Sequence, residues 1–490
     1  MSDLAGIRAA LQALPALAAT AAGNPPKLEN IFFPEGHAEV LDLDTTLVIG
    51  NRGMGKTFWT LALSDPQLRP EIAARYFGTR RLELNNLEVA LGFADAEGVT
   101  GLVSRSSLES IPKKTPEETL WRAVLLRHLA PSVNRTIPTS FRDLVLWIRA
   151  NPEQQVAVFR EADEALSRSG RRVLFLFDQL DQIGKSWERI QELTQGLLKV
   201  SLAMKSYRNI KTKIFMRPDQ AENKKLFQFP DASKILGSSR TLSWRASDLY
   251  GLLFHEIMTE STGRDAFFGL CSSLGIDTSI LHQRLRIPDS LVANEENQGR
   301  LFDHIAGEFM GKSAKRGRLY TWIPTHLADG RGEISPRTFL KVMKTAAELP
   351  QDEAASTAIS FTGIQEGVRR ASETRLAELE EDYPWVSSAL EPLKGILVPC
   401  ETSEIAAAWK AAGTLETIHQ RFHGASAPID LILATFFEDS DAAAVLIKLL
   451  EEIGVVEVRR NGKINVPDIF RVKAGILRKG GITPQQRRRL

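Results

Sequence analysis

Two cysteines, Cys271 and Cys400, stand in 490 residues, without CxxC spacing. Their scarcity excludes a disulfide framework and a zinc ribbon, and points to a reducing cytoplasm. Excess charge is missing too: 62 basic residues almost balance 60 acidic ones, so no global field selects a nucleic acid or a membrane. No apolar run reaches the ~18 residues of a spanning helix. The apolar stretch 4–22 lacks the positive lead of a signal peptide, because Asp3 sits there and Arg8 interrupts the run. Leu4, Ile7, Leu11 and Leu14 instead share one helical face, which predicts an amphipathic helix packed on protein. Metal chemistry has little support: His419 and His423 lie four apart without a third ligand, and HExxH is absent.

Present instead is Gly50-Asn51-Arg52-Gly53-Met54-Gly55-Lys56-Thr57. The β-branched run 45–49 before it predicts a buried strand, and residues 58–64 carry no breaker before Asp65-Pro66, which predicts a helix. Strand, glycine loop and helix form the context that a GxxxxGK[ST] phosphate loop requires. Gly50, Gly53 and Gly55 are expected at positive φ, turning N–H groups toward the α- and β-phosphates at the positive helix end. Lys56 places its charge on the β- and γ-oxygens, and the Thr57 hydroxyl ligates Mg²⁺.

The next informative stretch runs from Arg171 to Asp181. Five apolar residues ending in Asp178 predict a central parallel strand with its carboxylate at the carboxyl edge, the Walker B arrangement. Asp178 is therefore the second expected Mg²⁺ residue. A further strand is expected at 87–93, helices from the Thr115 cap with Pro116 at the first position and over 187–204, and a short strand at 214–216. Arg217, at the end of that strand, either senses the γ-phosphate or pairs with Asp219. A short strand near 241–244 and a helix ending near 259 complete the core. Residues 262–350 read as helical around a polar loop at 294–299, with a basic cluster of Lys312, Lys315, Arg316 and Arg318. Ser335-Pro336-Arg337 opens an amphipathic helix, and residues 363–381 follow helical period. Near the C-terminus, helices at 429–437 and 442–453 precede a hairpin at 455–466 turning on Asn461-Gly462.

These motifs, in this order, resemble additional-strand P-loop ATPases, and within them the AAA-related STAND or KAP-type branch of bacterial signalling and phage defence. The resemblance covers about residues 40–260, with a weaker continuation to about 350. It implies an α/β, RecA-like core with a parallel sheet, ATP and Mg²⁺ as ligands, and self-association with ATP. It also makes Arg337 a candidate second sensor at the head of a lid helix. One departure matters: Gln179 stands where AAA-type enzymes carry the glutamate that polarises water. Asp181 either takes that role or caps the next helix. Slow hydrolysis follows, as suits a switch. The C-terminal hairpin resembles a winged helix, a module that binds DNA or docks on protein.

The expected organisation is an N-terminal helix (1–26), an ATPase core (27–260), a helical lid (261–400) and a winged-helix-like domain with a basic tail (401–490). Two other P-loop classes fail on motif: Asn223-Lys224-Lys225-Leu226 lacks the final Asp of a GTPase base reader, and no LSGGQ signature exists. Three functions remain in view. The first is an ATP-dependent switch acting on a partner protein that carries the effector. The second is a DNA-associated ATPase using Arg459, Arg460, Lys463 and the tail residues Arg478, Lys479 and Arg487–Arg489. The third is a small-molecule kinase.

Overall fold

The run Arg172–Phe177 is a strand with five consecutive residues fully buried. In the computed structural model it lies inside a five-stranded parallel sheet. The strands are β1 (Leu47–Ile49), β2 (Leu87–Phe93), β3 (Arg172–Phe177), β4 (Ile210–Met216) and β5 (Ser239–Thr241), in the order β2-β3-β4-β1-β5. The structure describes residues 2–15, 24–93, 101–278, 287–311, 313–351, 355–422 and 442–484. They divide into two compact units, 16–243 and 1–15 with 244–490.

In the first unit β4 is inserted between β1 and β3, the order that the resemblance to additional-strand P-loop ATPases leads one to expect. Register brings the three strand ends within two residues of one another: Ile49 faces Met216, and Phe177 faces Ile214. All strands run parallel, so the segments after β1, β3 and β4 leave at one edge. Helices Glu117–Leu129 and Trp187–Met204 cover the sheet. Trp121 meets Phe177 edge-on at 5.5 Å and donates its indole N–H to the Leu193 carbonyl at 2.7 Å. The two helices approach closely at Gly196, where an added Cβ would lie 2.4 Å from that of Glu117.

Two local expectations change. The helix at 115 begins at Glu117, with extended Pro116 at the cap position and Thr115 buried without a capping bond. The strand expected at 214–216 starts at Ile210 and takes in Lys211 and Lys213. A lysine in a buried strand is stable only with its donors met. Lys213 meets this condition, donating to the carbonyls of Val40, Asp42 and Thr45 at 2.7, 2.8 and 2.7 Å. Burial still lowers its pKa to about 7, against the pull of Asp42 and Asp44.

The second unit contains the N-terminal helix Ser2–Ala13, which packs on helices Ser261–Ser273 and Pro336–Glu348. Ile7, Leu11 and Leu14 are buried on its expected apolar face. Arg8 donates to Gln351 Oε1 at 2.5 Å and to the carbonyls of Ala358 and Leu349. The helix Ala246–Thr259, expected to close the nucleotide core, belongs to this unit. The polar stretch at 294–299 is helix rather than loop. Asn294 caps helix Glu295–Ala306 by accepting from Asn297 N–H, and buried Gln298 bonds Ser247, Leu291 and Tyr320.

Further on, helix Phe361–Asp382 starts at a Ser360 cap. The remaining strands are β6 (Leu397–Val398), β7 (Glu457–Val458), β8 (Ile464–Asn465) and β9 (Leu477–Arg478). Of these, β7 and β8 form an antiparallel hairpin, while β6 and β9 pair in parallel. Cys400 and Ile464 exchange backbone bonds at 3.0 and 2.8 Å. Both cysteines are buried free thiols. The helix expected at 429–437 and the terminal arginines lie outside the described residues. Among the described residues no helix is long and apolar enough to cross a membrane.

Replacing Lys213 by Met is expected to cost about 3 kcal/mol, since three carbonyls lose a charged donor while the apolar stem is kept. Denaturant unfolding measures it, and an unchanged midpoint would show that those carbonyls find other donors.

Candidate nucleotide site

The loop 50–57 leaves β1 at the carboxyl edge of the sheet and enters helix Lys56–Ser64. Gly53 and Gly55 adopt φ of 82° and 104°, which a side chain would strain. Gly50 does not share that conformation, contrary to expectation. Its small size answers a close approach instead, since an added Cβ would sit 3.3 Å from Leu242 Cβ and 3.4 Å from the Leu242 carbonyl. Asn51 and Arg52 are half-buried in the turn, and Met54 is buried beneath it.

Lys56 folds its amine back into the loop, donating to the carbonyls of Gly50 at 2.6 Å and Asn51 at 3.0 Å. The residue as a whole is half-buried, while its amine end is enclosed. That enclosure lowers its pKa to about 8, against the opposing charges of Asp178, Asp181 and Asp219. Thr57 Oγ1 donates to Asp178 Oδ2 at 2.7 Å, joining the first turn of the loop helix to the end of β3. Asp178 is 2% exposed, and burial raises its pKa while the Thr57 bond and the Lys56 charge oppose the rise. A hydroxyl and a carboxylate oxygen in contact beside a lysine make a hard donor pair that fits Mg²⁺.

Gln179, in the position usual for glutamate, has φ of 57° and ψ of 42°. A left-handed conformation costs a side-chain-bearing residue roughly 1–2 kcal/mol. It turns the chain into the short 3₁₀ segment Leu180–Gln182, which carries Asp181. Arg217, at the end of β4, has its guanidinium on Asp219, with Nε to Oδ1 at 3.1 Å and Nη2 to Oδ2 at 3.0 Å. Its Nη1 lies 3.7 Å from Asp181 Oδ2. Lys56, Thr57, Asp178, Asp181 and Arg217 are thus connected at one sheet edge.

Sequence pattern left one neighbour of this site unread. His37 Nδ1 accepts from buried Trp59, two residues past Thr57, and its Nε2 meets the Ser243 carbonyl at 3.1 Å. Nothing local to His37 signals these partners, since they lie 22 and 206 residues away.

Other expected residues lie in the second unit. Arg337 occupies the first turn of helix Pro336–Glu348 and pairs with Glu378 at 3.1 Å, a carboxylate that Arg375 also meets at 3.4 Å. The exposed hairpin turn holds Arg460, while Arg459 lies 3.8 Å from Glu457 and Lys463 bonds Glu401 at 3.0 Å. Arg478 is engaged by Asp468 at 3.2 Å. In the cluster near 315, Arg318 pairs with Asp303 at 2.6 Å, and Lys312 is outside the described residues. His419 lies on helix Thr414–Phe422, and His423 is outside the description.

No protein-family model matches the chain, and no curated protein matches it. Among solved structures, Cdc6p from Pyrobaculum aerophilum is similar at 12% identity, over 86% of this chain and 83% of that one, with a TM-score of 0.25. So low a score carries no weight, and the fold rests on strand order, register and the phosphate loop.

An amine attracts phosphate by charge only while it is protonated. With the Lys56 pKa lowered to about 8, rising pH removes the charge within the accessible range. ATP affinity is expected to fall about tenfold between pH 7 and pH 9. Lys56→Arg, whose group stays charged, should flatten that profile wherever it still binds. Fluorescent-nucleotide titration across pH measures both, and a flat wild-type profile would remove the amine from the phosphate contact.

Proposed function

We propose that the chain binds ATP with Mg²⁺ and hydrolyses it slowly, as a switch that reports nucleotide state to a partner. The observation carrying this reading is the Thr57–Asp178 contact of 2.7 Å at the mouth of the phosphate loop, beside the enclosed amine of Lys56. Thr57 and Asp178 would hold Mg²⁺, which supplies charge neutralisation at the phosphates. Lys56 and the N–H groups of the loop bind the triphosphate, and the missing GTPase and ABC motifs favour ATP.

Asp181 is the carboxylate we assign to the attacking water. The water oxygen bonds to the γ-phosphorus as the bond from that phosphorus to the β–γ bridging oxygen breaks; Asp181 takes the water's proton, the bridging oxygen leaves with ADP, and inorganic phosphate remains. Gln179 cannot accept the proton, so turnover is slow. Arg337, in the lid, would read nucleotide only after leaving Glu378. Slow turnover favours a switch over a motor, and self-association with ATP, a role in signalling or defence, and a separate effector protein complete the proposal.

A second reading has its own support. The exchange of bonds between Cys400 and Ile464 joins the β7–β8 hairpin to the segment before helix Thr402–Ala412, which supports reading this end as a winged-helix-like module. A DNA-associated ATPase would use this module through Arg460. The pairing of Arg459 and Lys463 with carboxylates on their own unit favours a protein contact instead.

Asp181→Ala is expected to retain ATP affinity within about threefold and to lose most turnover, measured by phosphate release beside nucleotide titration. Equal turnover in wild type and variant would take Asp181 out of the mechanism. Adding duplex DNA should leave the rate unchanged. Stimulation falling steeply with salt would establish the DNA reading in its place.

A further inference from the structure

Asp219 has no role in the assignments above. It follows Arg217 across Pro218, and its side chain is only 8% exposed. Each of its carboxylate oxygens accepts one bond from the same guanidinium, through Nε and Nη2. Two parallel bonds of this kind fix the plane of the group as well as its position. The remaining nitrogen, Nη1, is then directed at Asp181, 3.7 Å away. Exposed ion pairs contribute little, yet this one is mostly shielded, with the Arg217 side chain 14% exposed. Arg217, Asp181 and Asp219 all act on the charge of Lys56, which places the trio within electrostatic reach of the phosphate-binding amine.

We propose that Asp219 is a positioning residue: it holds Arg217 so that the Nη1 edge spans the gap between Asp181 and the terminal phosphate of ATP. This rests on the ATPase reading. The phosphate loop supplies ground-state affinity, whereas Arg217 meets the charge spread over the equatorial γ-phosphoryl oxygens in the transition state, as the bridging oxygen leaves with the bonding pair. Weakening the grip of Asp219 lets the guanidinium settle on Asp181. That removes the arginine from the phosphate and crowds the carboxylate facing the water. The loss therefore falls on kcat and leaves KM nearly unchanged.

The test compares steady-state ATP hydrolysis by the full chain as wild type, Asp219→Asn, Asp219→Glu, Arg217→Ala and the Arg217→Ala/Asp219→Asn double variant, with thermal unfolding of each. Asp219→Asn should lower kcat about tenfold with KM within about twofold. Asp219→Glu should recover part of the rate. In the Arg217→Ala background the asparagine should cost nothing further, since the two residues act as one unit. Equal factors in both backgrounds, or a joint drop in kcat and unfolding midpoint that glutamate does not relieve, would overturn the positioning role. A wild type without turnover would sink the ATPase reading and this inference with it. A wild type that turns over beside an unaffected Asp219→Asn would sink this inference alone.

Discussion

Parallel pairing of β1, β4 and β3 governs everything at the nucleotide site. Each strand is short, seven residues at most, and each ends within two residues of its neighbours' ends. Because all three point the same way, the glycine loop, Asp178 and Arg217 emerge side by side, although more than 160 positions separate the first from the last. An antiparallel partner in that sheet would have sent one of the three to the opposite edge. The bond from Thr57 to Asp178 ties the first of these ends to the second, and the Arg217–Asp181 approach ties the second to the third.

Such an edge concentrates charge where little water enters, and the side chains answer collectively. Burial lowers the Lys56 pKa and raises that of Asp178, so each shift opposes the charge that the other residue favours. The two stay compatible because the lysine has carbonyl acceptors and the aspartate has a hydroxyl donor. The same logic governs Lys213 away from the site, where three carbonyls make a cation tolerable inside a strand. Strained Gln179 lies in the turn that carries Asp181, and strain of that kind is commonly stored beside a working site.

Pattern alone revealed the parts of this arrangement that are local. The phosphate loop, the apolar strand before Asp178, the strand at 87–93 and the helix Trp187–Met204 could be read because period and punctuation are short-range signals. Lys213 hid the full length of β4, since an isolated lysine argues against a buried strand until its acceptors, nearly 170 residues away, are known. Gly50 was assigned the wrong reason for the same cause: its constraint is Leu242, a contact absent from local sequence. The polar run at 294–299 does not read as helix because Gln298 is polar for the sake of two distant partners, Ser247 and Tyr320, besides nearby Leu291. Asp219 could be noticed from its spacing to Arg217, but not the two-point geometry that gives the pair its interest.

The first helix of the chain belongs with the residues from Trp244 onward, and the unit of the phosphate loop lies between them in sequence. Its close fit, Gly263 against Ala10 and Gly6 against Ala266, makes that helix a structural part of the second unit and not a loose leader. The unit that carries the phosphate loop is therefore an insert, attached to its host at both ends. One backbone cut at either crossing leaves the halves covalently joined through the other. A shortened chain that began at the phosphate-loop unit would leave the five-stranded sheet intact, while stripping a packing helix from the unit at the far end of the sequence.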